Sequence, residues 1–592
     1  MSSRDLLGKI IQFVLTTSLG GALLMDSGCS QSQPINKADP VKRAAASERR
    51  PNVLLIMTDD QGWGDVGFHG NPHLKTPHLD RLAAQSAELT QFHVCPVCSP
   101  TRASLLTGRY NYRTGAIDTY LGRSTMAGEE MTLAEMFSAA GYRTGIFGKW
   151  HLGDNYPSRP IDQGFEESLV HRGGGIGQPA DPPGNRYFDP SLVRNGREVK
   201  TRGYCSDVFT DAALRFIAEH RRERFFAYLA FNCPHTPLEV PAAYHERYQG
   251  LSLDAETAKV YGMIANLDDN LGRLFARLKE LDLEDNTIVI FLTDNGPQAR
   301  RYNGVLNDLK GSVHDGGIHV PCLVRWPGKI AAGSKITQVA AHIDLAPTLL
   351  DACAIKRPSG VALDGISLLP LLRGEHTAWP ERLLFFQWHR GDQPEQYRAC
   401  AVRSTRYKLV QPMGRDGRQP FTPAWALYDM TVDPGEQHNI IDTHSELAAS
   451  LKAAYAKWFA DVGGTRGYHP PRIVVGTRHE NPVTLTRQDW RGPRAGWSQN
   501  SLGYWDVEVR AAGQYDVSVR FEAESSPSTV RLRIGPVDVA QSLGEGADCA
   551  TFASLRLEPG PARLEASVER SGQTAGANYV DVLWQPAVGN DR

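Results

Sequence analysis

The sequence predicts an α/β protein built on a doubly wound, mostly parallel sheet with helices on both faces. Unbroken apolar runs of strand length recur at 52–57, 225–231 and 287–292, as expected for central strands covered on both sides. Stretches with helical periodicity lie between them, and polar residues follow the end of each run. In such sheets, ligands bind at the carboxyl ends of the strands.

The main domain is expected over residues 51–370, where strands and helices alternate. Thr76-Pro77 supplies a cap and a first-turn proline for the first helix. A stretch over 173–190 is rich in Gly and Pro and indicates a long loop near a binding cleft. The remaining elements predicted here are helices over 131–140, 205–221 and 256–281 and a strand over 143–149.

Two further regions follow, and each has a different pattern. Short strands and a final helix predict a smaller antiparallel α+β subdomain over 371–470, with elements at 383–388, 401–410, 426–428 and 445–462. After Pro470-Pro471, strict alternation predicts a C-terminal all-β sandwich over 471–592, with strands at 504–509, 515–519, 530–534, 564–568 and 579–584. Four tryptophans could fill the core of this sandwich or stack on sugars: Trp490, Trp497, Trp505 and Trp584.

The N-terminus has the pattern of a targeting signal. Arg4 and Lys9 precede a short apolar stretch, 10–25, that ends in small residues. This order predicts an export signal over 1–29 and a polar linker over 30–50, and therefore a periplasmic or extracellular protein. Cys29 also suggests a lipid anchor, which would make a membrane-anchored lipoprotein, although Asp26 stands where an apolar residue is usual.

Charge and cysteine usage exclude other classes. The formal net charge is −2 over 592 residues, which leaves no basic field for nucleic acid. The nine cysteines show no repeated zinc spacing. Cys95 and Cys98 are spaced as in a redox Cys-x-x-Cys motif, and a disulfide between them would remove a free thiol at Cys98.

Oxygen ligands follow two of the central strands. Asp59-Asp60 comes after the first strand, and Asp294-Asn295 comes after the strand at 287–292. Because the carboxyl ends of parallel strands meet at one edge, we expect these groups to lie together. Three crowded carboxylates would repel one another, so the pattern predicts one bound divalent cation. Acidic helix caps explain either pair taken alone.

The stretch around Cys98 combines a thiol, a helix start and a guanidinium. Pro100 suits the first turn of a helix and Ser99 suits the cap before it, which would place Cys98 at the positive end. Arg102 lies one turn further on. A helix N-terminus with an arginine forms an anion site that contains a nucleophile. The alternative is a buried cysteine beside an ordinary capped helix.

Basic side chains follow other strand ends. Lys149 and His151 are two residues apart, so an extended chain would place both on one face. His235 follows the strand at 225–231, and Lys310 lies beyond the last strand. Cations hold an anionic ester, and a histidine can protonate a departing alcohol. Taken singly, each could instead be a surface lysine or an ordinary loop histidine.

A series of motifs over roughly residues 51–440 resembles the sulfatase family, in sulfatase order. The motif around Cys98 continues into Leu106-Thr107-Gly108-Arg109, which makes the match specific. The other motifs are Asp59-Asp60-Gln61-Gly62, Gly148-Lys149-Trp150-His151, Pro234-His235-Thr236-Pro237, Thr293-Asp294-Asn295-Gly296 and Lys310-Gly311. The resemblance implies a formylglycine-dependent, arylsulfatase-like hydrolase of the alkaline phosphatase superfamily.

That resemblance implies a cofactor, a partner and a set of roles. A maturation enzyme would oxidise Cys98 to formylglycine, whose hydrate, on a calcium ion, attacks the sulfur of a sulfate ester. His235 and Lys310 would assist the leaving alcohol, and His151 would take a proton when sulfate is expelled. Arg102 and Lys149 would orient the hydrate. The implied metal ligands are Asp59, Asp60, Cys98, Asp294 and Asn295.

The chain departs from the family pattern after Lys310, and alternatives remain. Asp315 and His319 stand where sulfatases usually show Glu and Arg, which concerns packing or substrate contacts more than the core chemistry. The expected substrate is a sulfated glycan or a small sulfate ester. The rival functions are a phosphomonoester or phosphonate hydrolase of the same superfamily and a glycan-binding protein with an inactive catalytic domain.

Overall fold

A computed structural model describes residues 50–375, 378–523 and 525–586. Its α/β part contains ten strands of one sheet and a separate two-stranded ladder formed by β3 and β12. The strands are β1 (Asn52–Thr58), β2 (Ala87–Leu89), β3 (Phe92–His93), β4 (Arg143–Lys149), β5 (Glu167–His171), β6 (Ser191–Arg194), β7 (Arg197–Lys200), β8 (Phe225–Ala230), β9 (Thr287–Thr293), β10 (Cys322–Arg325), β11 (Lys335–Ile336) and β12 (Ala340–Ala341).

The large sheet has the order β11-β2-β10-β9-β1-β8-β4-β5-β6-β7. Its five central strands, from β9 to β5, all run parallel, and antiparallel pairs flank them on both sides. In the register of the centre, Leu55 of β1 lies between Tyr228 of β8 and Ile290 of β9. The predicted doubly wound, mostly parallel sheet is therefore confirmed.

Helices cover both faces of this sheet. Leu55 packs in a core with residues of α2, α4 and α9, whereas Leu54, which points to the other face, packs with residues of α1, α5 and α7. The helices are α1 (Pro77–Ala84), α2 (Cys98–Thr107), α3 (Asn111–Thr114), α4 (Leu133–Ala139), α5 (Cys205–Glu219), α6 (Ala242–His245), α7 (Ala255–Glu280), α8 (Asp315–Ile318), α9 (Leu345–Ala352) and α10 (Leu369–Leu372).

A four-stranded antiparallel sheet and one long helix follow. They are β13 (Leu384–Gln387), β14 (Cys400–Arg403), β15 (Tyr407–Gln411), β16 (Ala426–Asp429) and α11 (Ser445–Gly463). The single strand predicted over 401–410 is wrong, because this segment is a hairpin that turns at 404–406. The polar residues Ser404, Thr405 and Arg406 form this turn between the two short strands.

The C-terminal region is a sandwich of two sheets, with orders β17-β19-β24-β21-β22 and β18-β26-β20-β23. Inward residues of both sheets form one core, in which Trp490 and Trp505 are fully buried. The strands are β17 (Ile473–Val475), β18 (Val483–Thr486), β19 (Trp505–Val509), β20 (Gly513–Arg520), β21 (Ser528–Ile534), β22 (Val537–Leu543), β23 (Cys549–Leu557), β24 (Gly560–Arg570), β25 (Gln573–Gly576) and β26 (Tyr579–Gln585).

The export signal over 1–29, the linker up to residue 49 and the lipid anchor at Cys29 lie outside the described residues. Within the described ranges, none of the helices has the length and apolar character needed to cross a membrane. The domain boundaries at 370/371 and 470/471 stay predictions.

Candidate active site

Four parallel strands end side by side at one edge of the sheet. Asp59 and Asp60 follow β1, Lys149 ends β4, His235 lies beyond β8, and Asp294 and Asn295 follow β9. The backbone holds these ends together: Asp59 N donates to Cys233 O (3.1 Å), and Asp294 N donates to Thr58 O (3.2 Å). We refer to Asp59, Asp60, Asp294, Asn295, Arg102, Lys149 and Lys310 as the rim cluster.

Cys98 is the first residue of α2 and lies against the rim cluster. One ligand atom each from Cys98, Asp59 and Asp294 lie within 4.8 Å of one another. The helix begins two residues earlier than predicted, at Cys98 after Val97, with no side-chain cap. Ser99 is not the cap, because its hydroxyl donates to Ser124 O instead (3.1 Å). The thiol still lies at the positive end of the helix.

Each rim carboxylate has one cationic partner. The pairs are Lys149 Nζ–Asp59 Oδ2 at 2.5 Å, Lys310 Nζ–Asp60 Oδ1 at 2.6 Å and Arg102 Nη2–Asp294 Oδ2 at 2.7 Å. Three negative charges therefore face three positive ones. These cations already offset the repulsion between the carboxylates. Repulsion alone therefore does not require a bound metal at this rim.

Unpartnered oxygens make the case for a cation instead. Asp59 Oδ1, Asp60 Oδ2 and Asn295 Oδ1 are buried and have no hydrogen-bond partner among the described residues. The Asn295 amide is oriented by its Nδ2, which donates to Asp60 Oδ1 (2.8 Å) and Gly296 O (2.9 Å). Buried oxygens without partners are costly, and hard cations such as Ca²⁺ and Mg²⁺ take oxygen ligands. The donor set thus fits one divalent cation.

Burial and neighbouring charges set the protonation of the rim. Burial, with repulsion from Asp59, raises the pKa of Asp294 to about 7 although Arg102 opposes it. Burial acts in the same direction on Asp60, but Lys310 and Lys149, with the hydrogen bond from Asn295, oppose it, and the pKa of Asp60 lies below its usual range. Burial raises the pKa of the Cys98 thiol, against the opposing effect of Lys149 and Lys310.

Two histidines face Cys98 across the pocket, and their tautomers are fixed by the backbone. His151 Nε2 donates to Thr119 O (2.8 Å), and His235 Nδ1 donates to Thr236 O (2.6 Å). Burial lowers the pKa of His151 well below its usual value and that of His235 to about 3. Their free nitrogens, His151 Nδ1 and His235 Nε2, are therefore unprotonated in this arrangement.

The extended backbone predicted for Lys149 and His151 is wrong. Strand β4 ends at Lys149, and His151 adopts φ 59°, in the left-handed region. Lys149 consequently lies beneath the floor of the site against Asp59, while His151 lines the pocket.

A cavity of about 590 Å³ opens above Cys98. Cys98, His151, His235 and Lys310 line it, whereas Arg102 and Lys149 are fully buried below. The 173–190 loop also contributes, as its composition predicted, through Gly174 and Gln178. Trp497, which the sequence offered either for stacking on sugars or for the sandwich core, also lines the pocket. Sequence reasoning missed several polar and aromatic lining residues that come from distant loops without a strand-end signal, among them Tyr120, Trp388, Arg390, Arg415 and Arg418.

A second group of buried ionic side chains lies outside this pocket. Lys408 Nζ bridges Asp315 Oδ1 (2.5 Å) and Glu436 Oε1 (2.9 Å). His93 Nε2 and His319 Nδ1 each lie 3.6 Å from Asp315 Oδ2. We call these five residues the closed cluster, because none of them lines the pocket above Cys98.

The eight cysteines in the described ranges are free thiols, so the structure contains no disulfide between Cys95 and Cys98. Cys95 Sγ lies 3.3 Å from His342 Nε2 instead. Burial raises the pKa of the Cys95 thiol to about 12, which makes it an inert, packed side chain.

Comparison with known proteins finds sulfatases throughout the main domain. The sulfatase family model matches residues 51–355, and the model of the C-terminal part of N-sulphoglucosamine sulphohydrolase matches residues 308–458. Arylsulfatase A of Bos taurus is 33% identical, over 68% of this chain and 86% of the bovine protein. N-acetylgalactosamine-6-sulfatase of Mus musculus is 32% identical, over 68% and 79%.

A solved structure extends the likeness to three dimensions. The crystal structure of Ps i-CgsB in complex with k-i-k-neocarrahexaose superposes with a TM-score of 0.64 at 27% identity, and covers 71% of this chain and 95% of its own. The match of the family model to half of the chain, together with relatives above 30% identity, settles the classification. The chain belongs to the sulfatase family, and it is a sulfuric ester hydrolase.

Proposed function

We propose that this chain releases inorganic sulfate from a sulfated carbohydrate or an aryl sulfate, with formylglycine formed at Cys98 as the source of the nucleophile. The observation that carries the proposal is the position of Cys98. It lies at the floor of the pocket, at the start of α2, between the unpartnered oxygens of the rim cluster and two neutral histidines. A maturation enzyme would perform the conversion.

One divalent cation would be held by Asp59, Asp60, Asp294 and Asn295, with residue 98 completing the set. We propose Ca²⁺ because of the family resemblance, since oxygen ligands suit Mg²⁺ as well. When bound, the cation supplies a Lewis acid that withdraws electron density from the sulfuryl oxygens and from the oxygen on residue 98.

The side chains around the pocket support a division of labour. Lys310, whose pKa is raised by Asp60 despite burial, is protonated at rest and could transfer that proton to the departing alkoxide as the ester bond breaks. It lies beside the unprotonated Nε2 of His235, which could accept a hydrogen bond. His151 holds Nδ1 unprotonated because Nε2 donates to Thr119, so it can accept a proton from residue 98. Buried Arg102 and Lys149 would orient residue 98 and offset the negative charge of the sulfate.

The substrate class rests on the relatives. Two are named for aryl sulfates and N-acetylgalactosamine 6-sulfate, and a solved neighbour holds a neocarrahexaose. We therefore favour a sulfated sugar as the natural substrate, with aryl sulfates as convenient reporters. An exported enzyme in the periplasm or outside the cell, or a lipoprotein anchored at Cys29, would meet such glycans. The chain would comprise a catalytic domain over 51–370, a subdomain over 371–470 and a sandwich over 471–592.

Tandem mass spectrometry of the peptide that contains Cys95 and Cys98 tests the proposal. We expect the mass change of thiol-to-aldehyde conversion at Cys98 alone, in protein that releases sulfate faster than phosphate from paired aryl esters. Cys95→Ala is the matched control and should retain sulfate release, whereas Cys98→Ala should lose it. Unmodified Cys98 in fully active protein would refute the assignment.

A further inference from the structure

The pocket above Cys98 does not end at the sulfate site. It shares Gln178 and Trp497 with a neighbouring cavity of about 310 Å³. That cavity shares Arg487, Gln499 and other residues with a further cavity of about 310 Å³ on the β-sandwich. The three cavities thus adjoin one another through the residues that they share, and we call them together the sandwich groove. It leads from Cys98, past the 177–184 loop, onto the C-terminal sandwich.

Trp497 stands at the junction of the first two cavities and is not a core residue. Trp497 is 38% exposed. The other large apolar side chains that are this exposed within the described residues are leucines, valines and a methionine. Trp490 and Trp505 are fully buried in the sandwich core, so the core does not need a third indole at this place. An exposed indole beside a catalytic pocket offers a flat apolar face to a ligand.

Aromatic and cationic groups continue from Trp497 toward Cys98. The ring of Tyr120 meets Trp497 edge-on, with centroids 5.3 Å apart. The guanidinium of Arg390 lies over Tyr120 (4.4 Å) and over Trp388 (5.1 Å). The wall thus alternates flat apolar faces with N–H donors, which matches a sugar ring that has apolar faces and a polar rim.

The wall of the first cavity is cationic. Lys310, Arg390, Arg415 and Arg418 line it, against the single carboxylate of Asp416. Each arginine also pairs with one aspartate, but a guanidinium has five N–H groups and one carboxylate occupies two of them. Donors consequently remain for anionic groups of a ligand beyond the sulfate under attack.

The outer part of the groove is polar. Gln178, Gln499 and Asn578 present side-chain amides, which donate to and accept from hydroxyl groups. Arg487 and Glu522 add one charge of each sign. A lining of amides is suited to neutral sugar hydroxyls rather than to a lipid or an apolar peptide.

We propose that the sandwich groove binds further sugar units of an anionic oligosaccharide, with Trp497 as the stacking platform next to the sulfated unit. The substrate would therefore be a polymer or an oligomer, and the C-terminal sandwich would be a part of the substrate site. This inference rests on the proposed sulfatase function and specifies its substrate class.

A size series tests the groove. We would measure kcat/KM by sulfate release for di-, tetra- and hexasaccharides of carrageenan, chondroitin sulfate and heparin, with an aryl sulfate as a reference. For the class that is turned over best, kcat/KM should rise about tenfold or more from disaccharide to hexasaccharide. Trp497→Ala should abolish most of that rise, and Trp497→Phe, which keeps an aromatic face, should restore part of it.

Trp584→Ala is the matched control, because Trp584 is a half-buried indole of the same sandwich that lines none of the three cavities. It should leave the size dependence intact. Calorimetric titration of the same oligosaccharides needs no turnover, so it separates the groove from the chemistry. A flat size dependence in both measurements, or an equal loss on all substrate lengths in Trp497→Ala, would overturn the groove. Absence of sulfate release with length-dependent binding would instead overturn the proposed function.

Discussion

The rim cluster and the closed cluster contain the same kinds of buried, charged residues but differ in their access to a cavity. Both contain buried carboxylates paired with lysine, and one segment, 310–319, contributes Lys310 to the first and Asp315 and His319 to the second. The rim cluster keeps unpartnered oxygens next to a cavity of about 590 Å³. In the closed cluster, two imidazoles and a lysine surround Asp315 on a side that the cavity does not reach.

This difference indicates which buried charged residues are expected to take part in catalysis. Pairing and burial are common to both clusters, so neither property identifies a catalytic group by itself. Unpartnered polar atoms do not separate them either, because His93 Nε2, His319 Nδ1 and Glu436 Oε1 of the closed cluster also lack hydrogen-bond partners among the described residues. The difference is access to a cavity, which only the rim cluster has. Substitutions in the rim cluster should therefore cost activity, and substitutions in the closed cluster should cost stability.

The largest expected effect is on activity, from Asp60→Asn in the rim cluster. The change removes one charge and one proposed metal ligand while it keeps the shape of the side chain. We expect sulfate release to fall on the order of 10³-fold and the bound divalent cation, measured by elemental analysis, to fall from one equivalent. Asp268→Asn, at a buried aspartate that accepts from the backbone of α1, should leave both unchanged. Full activity with an intact cation in Asp60→Asn would contradict the assignment.

The next effect is on stability, from Lys408→Met in the closed cluster. Lys408 is fully buried, so its loss leaves Asp315 and Glu436 without their shared counter-ion. We expect a loss of about 3–5 kcal/mol in the free energy of unfolding, measured by denaturant titration, with kcat/KM of the folded protein nearly unchanged. Lys335→Met, at a surface pair whose lysine side chain is 69% exposed, is the control and should have little effect. A stable but inactive Lys408→Met would erase the distinction between the clusters.

The smallest effect is a pH dependence that comes from His93. Burial lowers its pKa to about 4, against the opposing effect of Asp315, whereas the unfolded value is about 6.5. As pH falls, the unfolded chain takes the proton first, so stability is lost between about pH 6.5 and 4. From pH 7 to 5 the loss from this residue amounts to roughly 2 kcal/mol.

Thermal unfolding at pH 7 and pH 5 measures this dependence. The midpoint of His93→Gln should fall by less than that of the natural chain, because Gln does not titrate. His438→Gln, at an imidazole that is 84% exposed, should behave like the natural chain. An equal fall in His93→Gln would mean that the pKa of His93 is the same in the folded and the unfolded chain, and would contradict the prediction.

Most of the fold was predictable because buried strands leave continuous apolar runs. The ends of β1, β8 and β9 followed from these runs, and with them the neighbourhood of Asp59, His235 and Asp294. Local backbone detail was not predictable. The left-handed residue at His151 and the first residue of α2 depend on one or two dihedral angles, which do not alter the spacing of apolar residues.

Contacts between distant segments were also beyond the sequence. The pattern of alternation gave no means to separate Trp497, which lines the pocket, from Trp505, which fills the core. His93 carries no motif, and its place beside Asp315 follows from tertiary packing alone. The departure from the family at Asp315 and His319 was visible, but the partners that surround it, Lys408 above all, were not.

Helix α2 has one more consequence, which concerns the order of events during synthesis. All ten of its residues are buried, and Cys98 itself is 2% exposed. A separate enzyme cannot bind a helix that is buried in this way in its active site. If Cys98 is converted to formylglycine as proposed, the maturation enzyme would therefore have to reach this thiol before the sheet closes around it. Under that proposal, protein that folds first would stay unconverted, and the yield of active molecules would depend on the relative rates of folding and modification.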